Sequence, residues 1–380
     1  MANISGLVVV SNGGVATGDV VLAGGVLFAS GGTLSSTTVS SGGFELIADG
    51  SGFVGDMPAL FPGIAVGSLI SAGGQDLVFN GGLVFGTVVA AGGLEVLEGP
   101  ATGFVGADIG TGNGTTLSGG VQIVFGRADD TTVISGTETV WSGGVSVSST
   151  LDGRTSFEFV VGGTAVFDVI NNAGQFLVSG GTAQETQVNN GGVQVVGGAS
   201  RADTTSLSGT QIVSSGGTAA NTAIWIGGVE IVQAGGVASG TFLEGGLMEV
   251  QSGGSVAPPS SAFAGEGAIN FGNGGVLQLD FSQGFTGTIA GFASPLGRIE
   301  GIDLVDIAFG KGTSEKFTEA PGNASGTLTV TDGTHTANLT LLGQYSTAMF
   351  SLASDGHGGT MITDPSLVGS AASPLLAVQT

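Results

Sequence analysis

One stretch of the chain carries a cation, two carboxylates and hydroxyls in close order, and a second echoes it in part. They are Gly126-Arg127-Ala128-Asp129-Asp130-Thr131-Thr132 and Ser200-Arg201-Ala202-Asp203-Thr204-Thr205. Paired carboxylates beside a guanidinium are material for cleaving glycans, which takes two carboxyl groups held close together or a metal ion with a basic proton acceptor. The repetition points elsewhere. A reaction centre is seldom duplicated along a repeat, whereas Asp followed by Thr is good turn chemistry wherever it recurs. Residues 5 to 280 contain no Lys and no His, which leaves little for general-base work near neutral pH. Asp303 and Asp306 are the candidates for ligating a cation such as Ca2+, set against the plainer reading of solvated turn residues. The Asp-bearing glycine nonapeptide of calcium-binding repeats is absent. His335 and His357 could share a metal only if two separate hairpins met. Trp141, Trp225 and Tyr345 are too scattered for a sugar-binding track and are expected to pack. No catalytic residue and no cofactor is assigned, and an enzyme is not expected. A polysaccharide lyase or hydrolase is the alternative.

Whatever these residues do, a repeat positions them. Double glycines recur with gaps that alternate long and short, as at Gly216-Gly217, Gly227-Gly228, Gly235-Gly236, Gly245-Gly246 and Gly253-Gly254. One long and one short gap sum to roughly 18 to 19 residues, a solenoid period. The short arc reads Gly-Gly-apolar-x-apolar-apolar, as in Gly228-Val229-Glu230-Ile231-Val232 and Gly120-Val121-Gln122-Ile123-Val124. That is the alternation of a half-buried strand. The long arc, Gly32-Thr33-Leu34-Ser35-Ser36-Thr37-Thr38-Val39, carries a small residue, a gap, a Thr and an apolar residue. The period predicts an all-β, right-handed parallel β-helix over residues 1–280. Apolar side chains should stack into an interior column, leaving outer faces lined by Ser, Thr, Asn and Gln. Insertions near 50–65 and 98–116 interrupt the period. Loops of this kind often form a solenoid's binding face, so Phe53, Met57, Leu60, Phe61 and Phe104 are the candidate partner contacts. After residue 280 the doublets fade. Residues 281–365 read as a β-rich cap with an Asp-Gly hairpin at Asp332-Gly333, and 366–380 as a flexible tail.

Composition narrows the partners. Glycine supplies 76 of 380 residues, and the net charge is -23 with only six Lys and Arg. A chain so acidic lacks the clustered cations that nucleic acid or an anionic membrane surface requires. No segment reads as a membrane-inserting span. There is no cysteine, which rules out a disulfide framework and thiolate metal sites.

The alternating Gly-Gly-x-x-x-Thr-x-Val and Gly-Gly-Val-x-x-Val arcs resemble the repeats of AIDA-type adhesin passengers of bacterial autotransporters, over roughly residues 5 to 257. That resemblance implies a secreted β-solenoid at the bacterial cell surface or outside the cell. Its partners would be further copies of itself, as a homo-oligomer or fibre, or cell-surface glycans. Some relatives carry sugars on repeat Ser and Thr residues. The sequence departs from the family in that no membrane-barrel translocator follows. Its C-terminal region is similar to signal-less repeat proteins exported by a type I pathway, with residues 366–380 as the candidate signal.

Overall fold

A computed structural model describes residues 1–54, 57–79, 81–99, 109–260, 266–292 and 299–363. The chain forms a parallel β-solenoid of about fourteen coils. It divides into two compact units, Met1–Val193 and Gln194–Thr380.

In the first unit each coil is three-sided. A long strand such as Val26–Ser30 is followed by two short ones, Thr33–Ser35 and Thr38–Val39, before the next long strand, Phe44–Ala48, begins. Each strand pairs in parallel with its counterpart one coil on, so Val26 lies beside Phe44 and Val20 beside Thr38. The two glycines of a doublet have different tasks. The first takes the left-handed conformation, as at Gly180 (φ 86°). The second has no room for a Cβ, because one built on Gly181 would fall on the carbonyl oxygen of Val160 in the preceding coil. Asn tolerates a left-handed position, so Gly180→Asn should cost at most about 1 kcal/mol. Gly181→Ala forces backbone to move and should cost about 2–3 kcal/mol, read by urea unfolding. Equal costs would show that the two positions are not distinct.

The third corner, between the short strands, is hidden in the long arc. Its left-handed residue is often not glycine, as at Ser36, Asp130, Ser148, Phe167 and Glu185.

The buried second glycine also decides which side chains face inward. Counting by two from Gly43, Phe44 faces out, Glu45 in, Leu46 out and Ile47 in. The expected interior column of apolar residues is therefore only partly present. The fourth strand position supplies it, with Ile47, Val78, Leu97, Val124, Val140, Val160 and Leu177 fully buried. The short strands add Val39, Ile70, Val89, Leu117, Val133, Leu151 and Ile170. The second position, the polar x of the arc, is also inside. The Gln expected on an outer face is thus interior on this strand, as is the Glu that shares its position, and the Val, Ile and Phe beside them are outside.

In the second unit the long strands Thr210–Val213, Val229–Val232, Leu247–Val250, Gly275–Leu279 and Glu300–Leu304 pair with one another in parallel register. Antiparallel pairing then closes the end. Ser314–Glu319, Ser325–Thr331 and Thr336–Leu342 form a meander whose last strand runs beside Thr288–Ala290. The hairpin Ser351–Ser354 with Thr360–Thr363 pairs with Glu300–Leu304. Beneath them Phe292 stacks on Phe350 at 6.3 Å and meets Phe271 edge-on at 5.1 Å, while Phe317 and Tyr345 pack at 5.6 Å. These rings cover the apolar end of the column, which an open solenoid would expose.

Candidate functional site

The most unusual chemistry lies inside the first unit. At the second position of successive long strands stand Glu45, Asp76, Glu95, Gln122, Glu138, Glu158 and Gln175, each with no exposed surface. They are in direct register, each the pairing partner of the next. Strands in a sheet sit about 4.8 Å apart, so carboxyl groups stack on carboxyl groups. A second polar column lies beside the first, just after the third corner: Thr37, Ser68, Thr87, Thr115, Thr131, Ser149 and Asp168, all buried.

Some of these groups satisfy one another. Gln122 Nε2 donates to Glu95 Oε2 at 2.6 Å, and Thr115 Oγ1 donates to the same oxygen at 3.1 Å. Gln175 Nε2 donates to Glu158 Oε2 at 2.7 Å and Asp168 Oδ2 at 2.9 Å, and Ser146 Oγ to Glu138 Oε1 at 3.2 Å. Both carboxyl oxygens of Asp76 are buried without a hydrogen-bond partner, while Glu45 has only the hydroxyls of Ser68 and Thr37 to offset its burial. No Lys, Arg or His is buried among the described residues.

A carboxylate stripped of water and given no cation holds its proton. Burial pushes Glu45 and Glu95 up to about 7. Glu138 rises to about 8 through burial and then the charge of Glu158. Burial and neighbouring carboxyls hold Asp76 and Asp168 well above the usual range. Within the second unit, taken by itself, the second strand position holds Gln194, Gln211 and Glu230 and then hydrocarbon. Gln211 Nε2 donates to Gln194 Oε1, Thr241 Oγ1 donates to Glu230 Oε2, and Met248, Leu277 and Ile302 follow, fully buried. Burial raises Glu230 to about 7.

The acidic clusters are therefore on one strand face, as a glycan-cleaving groove would need, but that face is the sealed interior. The Arg–Asp stretches serve the corners. Arg127 forks onto Asp129 at 2.7 and 2.9 Å, and Asp130 takes the left-handed corner at φ 53°. In the echo, Arg201 pairs with Asp203 at 3.1 Å and Thr204 takes the corner at φ 58°. Asp306 is occupied as a cap, accepting from Ser282 N and Oγ and from Gln283 N and Nε2. Asp303 is buried, and burial and then Asp355 raise it to about 6. Among the described residues no three His, Asp or Glu side chains are placed to hold a metal ion. His335 sits in its own turn, 3.0 Å from Asp332, and the His357 backbone N–H donates to Asp355.

The first insertion is a hairpin of Gly50–Val54 and Met57–Phe61, which places Phe53 opposite Pro58 and Phe61 opposite Gly50, with Met57 and Leu60 on the same return strand. Phe61 is half-buried. Phe104 lies outside the described residues.

Spacing did not reveal the outer face of the long-strand sheet. From Val26–Ser30 to Gly174–Val178 its outward residues include no charge. Most are Phe, Leu, Ile or Val, and the rings stack, Phe159 on Phe176 at 5.2 Å and Phe125 on Trp141 at 6.2 Å. The signal was in the repeat: parity counted from the buried glycine marks the first and third residues of each arc as outward.

No protein-family model matches the sequence, and no curated protein matches it. Among solved structures, a hyper-glycosylated fragment of TibA, residues 55–350, modified in a TibC-catalysed reaction, is similar. Identity is 29%, the TM-score is 0.63, and the match covers 75% of this chain and 98% of the fragment. The solenoid is thus of the kind found in that fragment. Two tailspike proteins also align. The capsular polysaccharide depolymerase gp49 of Acinetobacter baumannii bacteriophage Fri1 matches at 11% identity and a TM-score of 0.24, over 90% of this chain and 76% of that one. The Dettilon tailspike matches at 10% and 0.25, over 87% and 68%. Likeness at that level carries no argument about activity.

Proposed function

We propose that this protein is a secreted structural or adhesive solenoid that holds cells, or copies of itself, together at the cell surface or in the surrounding matrix. The observation that carries the reading is the TibA likeness, which extends over nearly the whole of that fragment, together with the AIDA-type arcs. The chemistry agrees. The clustered carboxyls are sealed inside, where no glycan reaches, while the outside offers long flat sheet faces that repeat a weak contact every coil. The short strands present outward hydroxyls such as Thr33, Ser35, Thr164 and Thr182, which are the residue types that would accept sugars if this chain is modified as the TibA fragment is.

Display of the full chain on beads or on a non-adherent bacterium tests the reading. Clumping, or binding to cells, should appear above that of undecorated controls and should rise steeply with display density, as multivalent contacts do. Density-independent inertness towards both copies and cells would remove the adhesive role. Glycan turnover by the purified chain would replace it with an enzymatic one.

A further inference from the structure

We propose that the outer face of the long-strand sheet in Met1–Val193 is the self-association surface, and that its occupant is the same face of a second copy, packed sheet against sheet. The inference rests on the adhesive reading above and names the partner for it.

Charge is the first argument. The chain carries a net charge of -23, yet no charged side chain points outward from the eight long strands between Val26–Ser30 and Gly174–Val178. The carboxylates of these strands all point inward. Two copies can therefore bring this face together without placing like charges in contact. Of the two short-strand sheets, one carries Arg127 and Asp129 outward and the other Asp152. On the long strands of the second unit Glu249 points outward.

Shape and area agree. Eight strands about 4.8 Å apart, each presenting two or three outward residues, give a flat patch of about 650 Å2 per copy. As a footprint, that approaches the roughly 800 Å2 each partner contributes to a stable interface. Flat sheets pack face to face about 10 Å apart with interdigitating side chains, and a two-fold axis makes one such face its own complement. A glycan fits less well, because the face offers few hydrogen-bonding side chains. Gln75, Thr137 and Thr139 are the main ones. Trp141 and Val178, about two-fifths exposed, stand where the stripe is most open.

Sedimentation of the purified full chain across about 1–100 µM reads the association directly. The wild type should form dimers in the micromolar range. Ile123→Glu with Phe159→Glu should weaken them by about 30-fold or more, since charge is placed at the centre of the patch. Ile123→Thr with Phe159→Thr gives a milder version that preserves strand propensity, as Thr139 already occupies that ladder position. Thr164→Glu, on a short strand, should leave association unchanged. Far-UV circular dichroism must match wild type for each variant. A wild type monomeric throughout, or face variants that associate as well as wild type, would overturn the proposal. The bead assay separates the two readings. Clumping that survives the face variants sinks this surface and leaves adhesion standing. Dimers in solution without any clumping sink adhesion and leave the surface standing.

Discussion

Raising the pH from about 5 to about 8 should destabilise the first unit by on the order of 5–10 kcal/mol, the reverse of the usual behaviour of carboxylates held in ion pairs. The sign follows from the interior ladder. In the unfolded chain these glutamates titrate near 4.5, whereas in the folded unit burial holds Glu45 and Glu95 at about 7 and Glu138 at about 8. Below the unfolded value both states are protonated and folding is unopposed by charge. Between the two values folding must take up a proton at each site, and each such site costs about 1.4 kcal/mol per pH unit. The loss levels off above the folded values, where a charge would have to be buried. Because neighbouring rungs interact, protons leave the ladder as a set rather than site by site. Thermal unfolding followed by circular dichroism across this range reads the effect. A midpoint that is flat or rises with pH would show that the carboxyls are not neutral in the folded state.

The second large effect comes from removing the proton altogether. Glu138→Gln should stabilise the first unit by on the order of 3–4 kcal/mol at about pH 8 and change it little at about pH 5. Gln already stands at this rung in the adjacent coil, at Gln122, and two coils away on the other side, at Gln175, where its amide donates to a neighbouring carboxyl. The substitution keeps volume and an acceptor for Ser146 Oγ, while it ends the repulsion with Glu158. The pH dependence of the midpoint should shrink along with the gain. Equal destabilisation at both pH values would mean that the rung is specified by the carboxylic acid itself, not by its size and hydrogen bonds.

A solenoid built this way should be most stable in acid and loosen through neutrality. The ladder has no cation to hold it charged, because the described arginines of the first unit serve the surface: Arg127 pairs with Asp129, and Arg154 is exposed.

Much of the architecture was legible from glycine alone. A doublet is a local statement: one residue in left-handed space and the next with no room for a side chain. Its recurrence at a fixed period leaves little but parallel coils. The hairpin at Asp332-Gly333 was legible for the same local reason. The third corner was not, since Ser36, Asp130 and Glu185 reach left-handed space without a glycine to mark it. The inward face of the arcs was misjudged because Ile231-Val232, two apolar residues in a row, fits either phase. Only the burial of Gly228 against the preceding coil settles that Glu230 points in.

What the amino-acid order determined by itself is therefore the coil: its period, its glycine corners and its alternation, all set within a few residues. What only the tertiary structure decided is the company each side chain keeps. Glu45 meets Asp76 across 31 residues and an insertion, Asp76 meets Glu95 across 19, and Asp306 caps a turn 24 residues upstream. Proton affinity, apolar patches and caps depend on distance through space. That distance is fixed by coil-to-coil register, which no single stretch of the chain encodes.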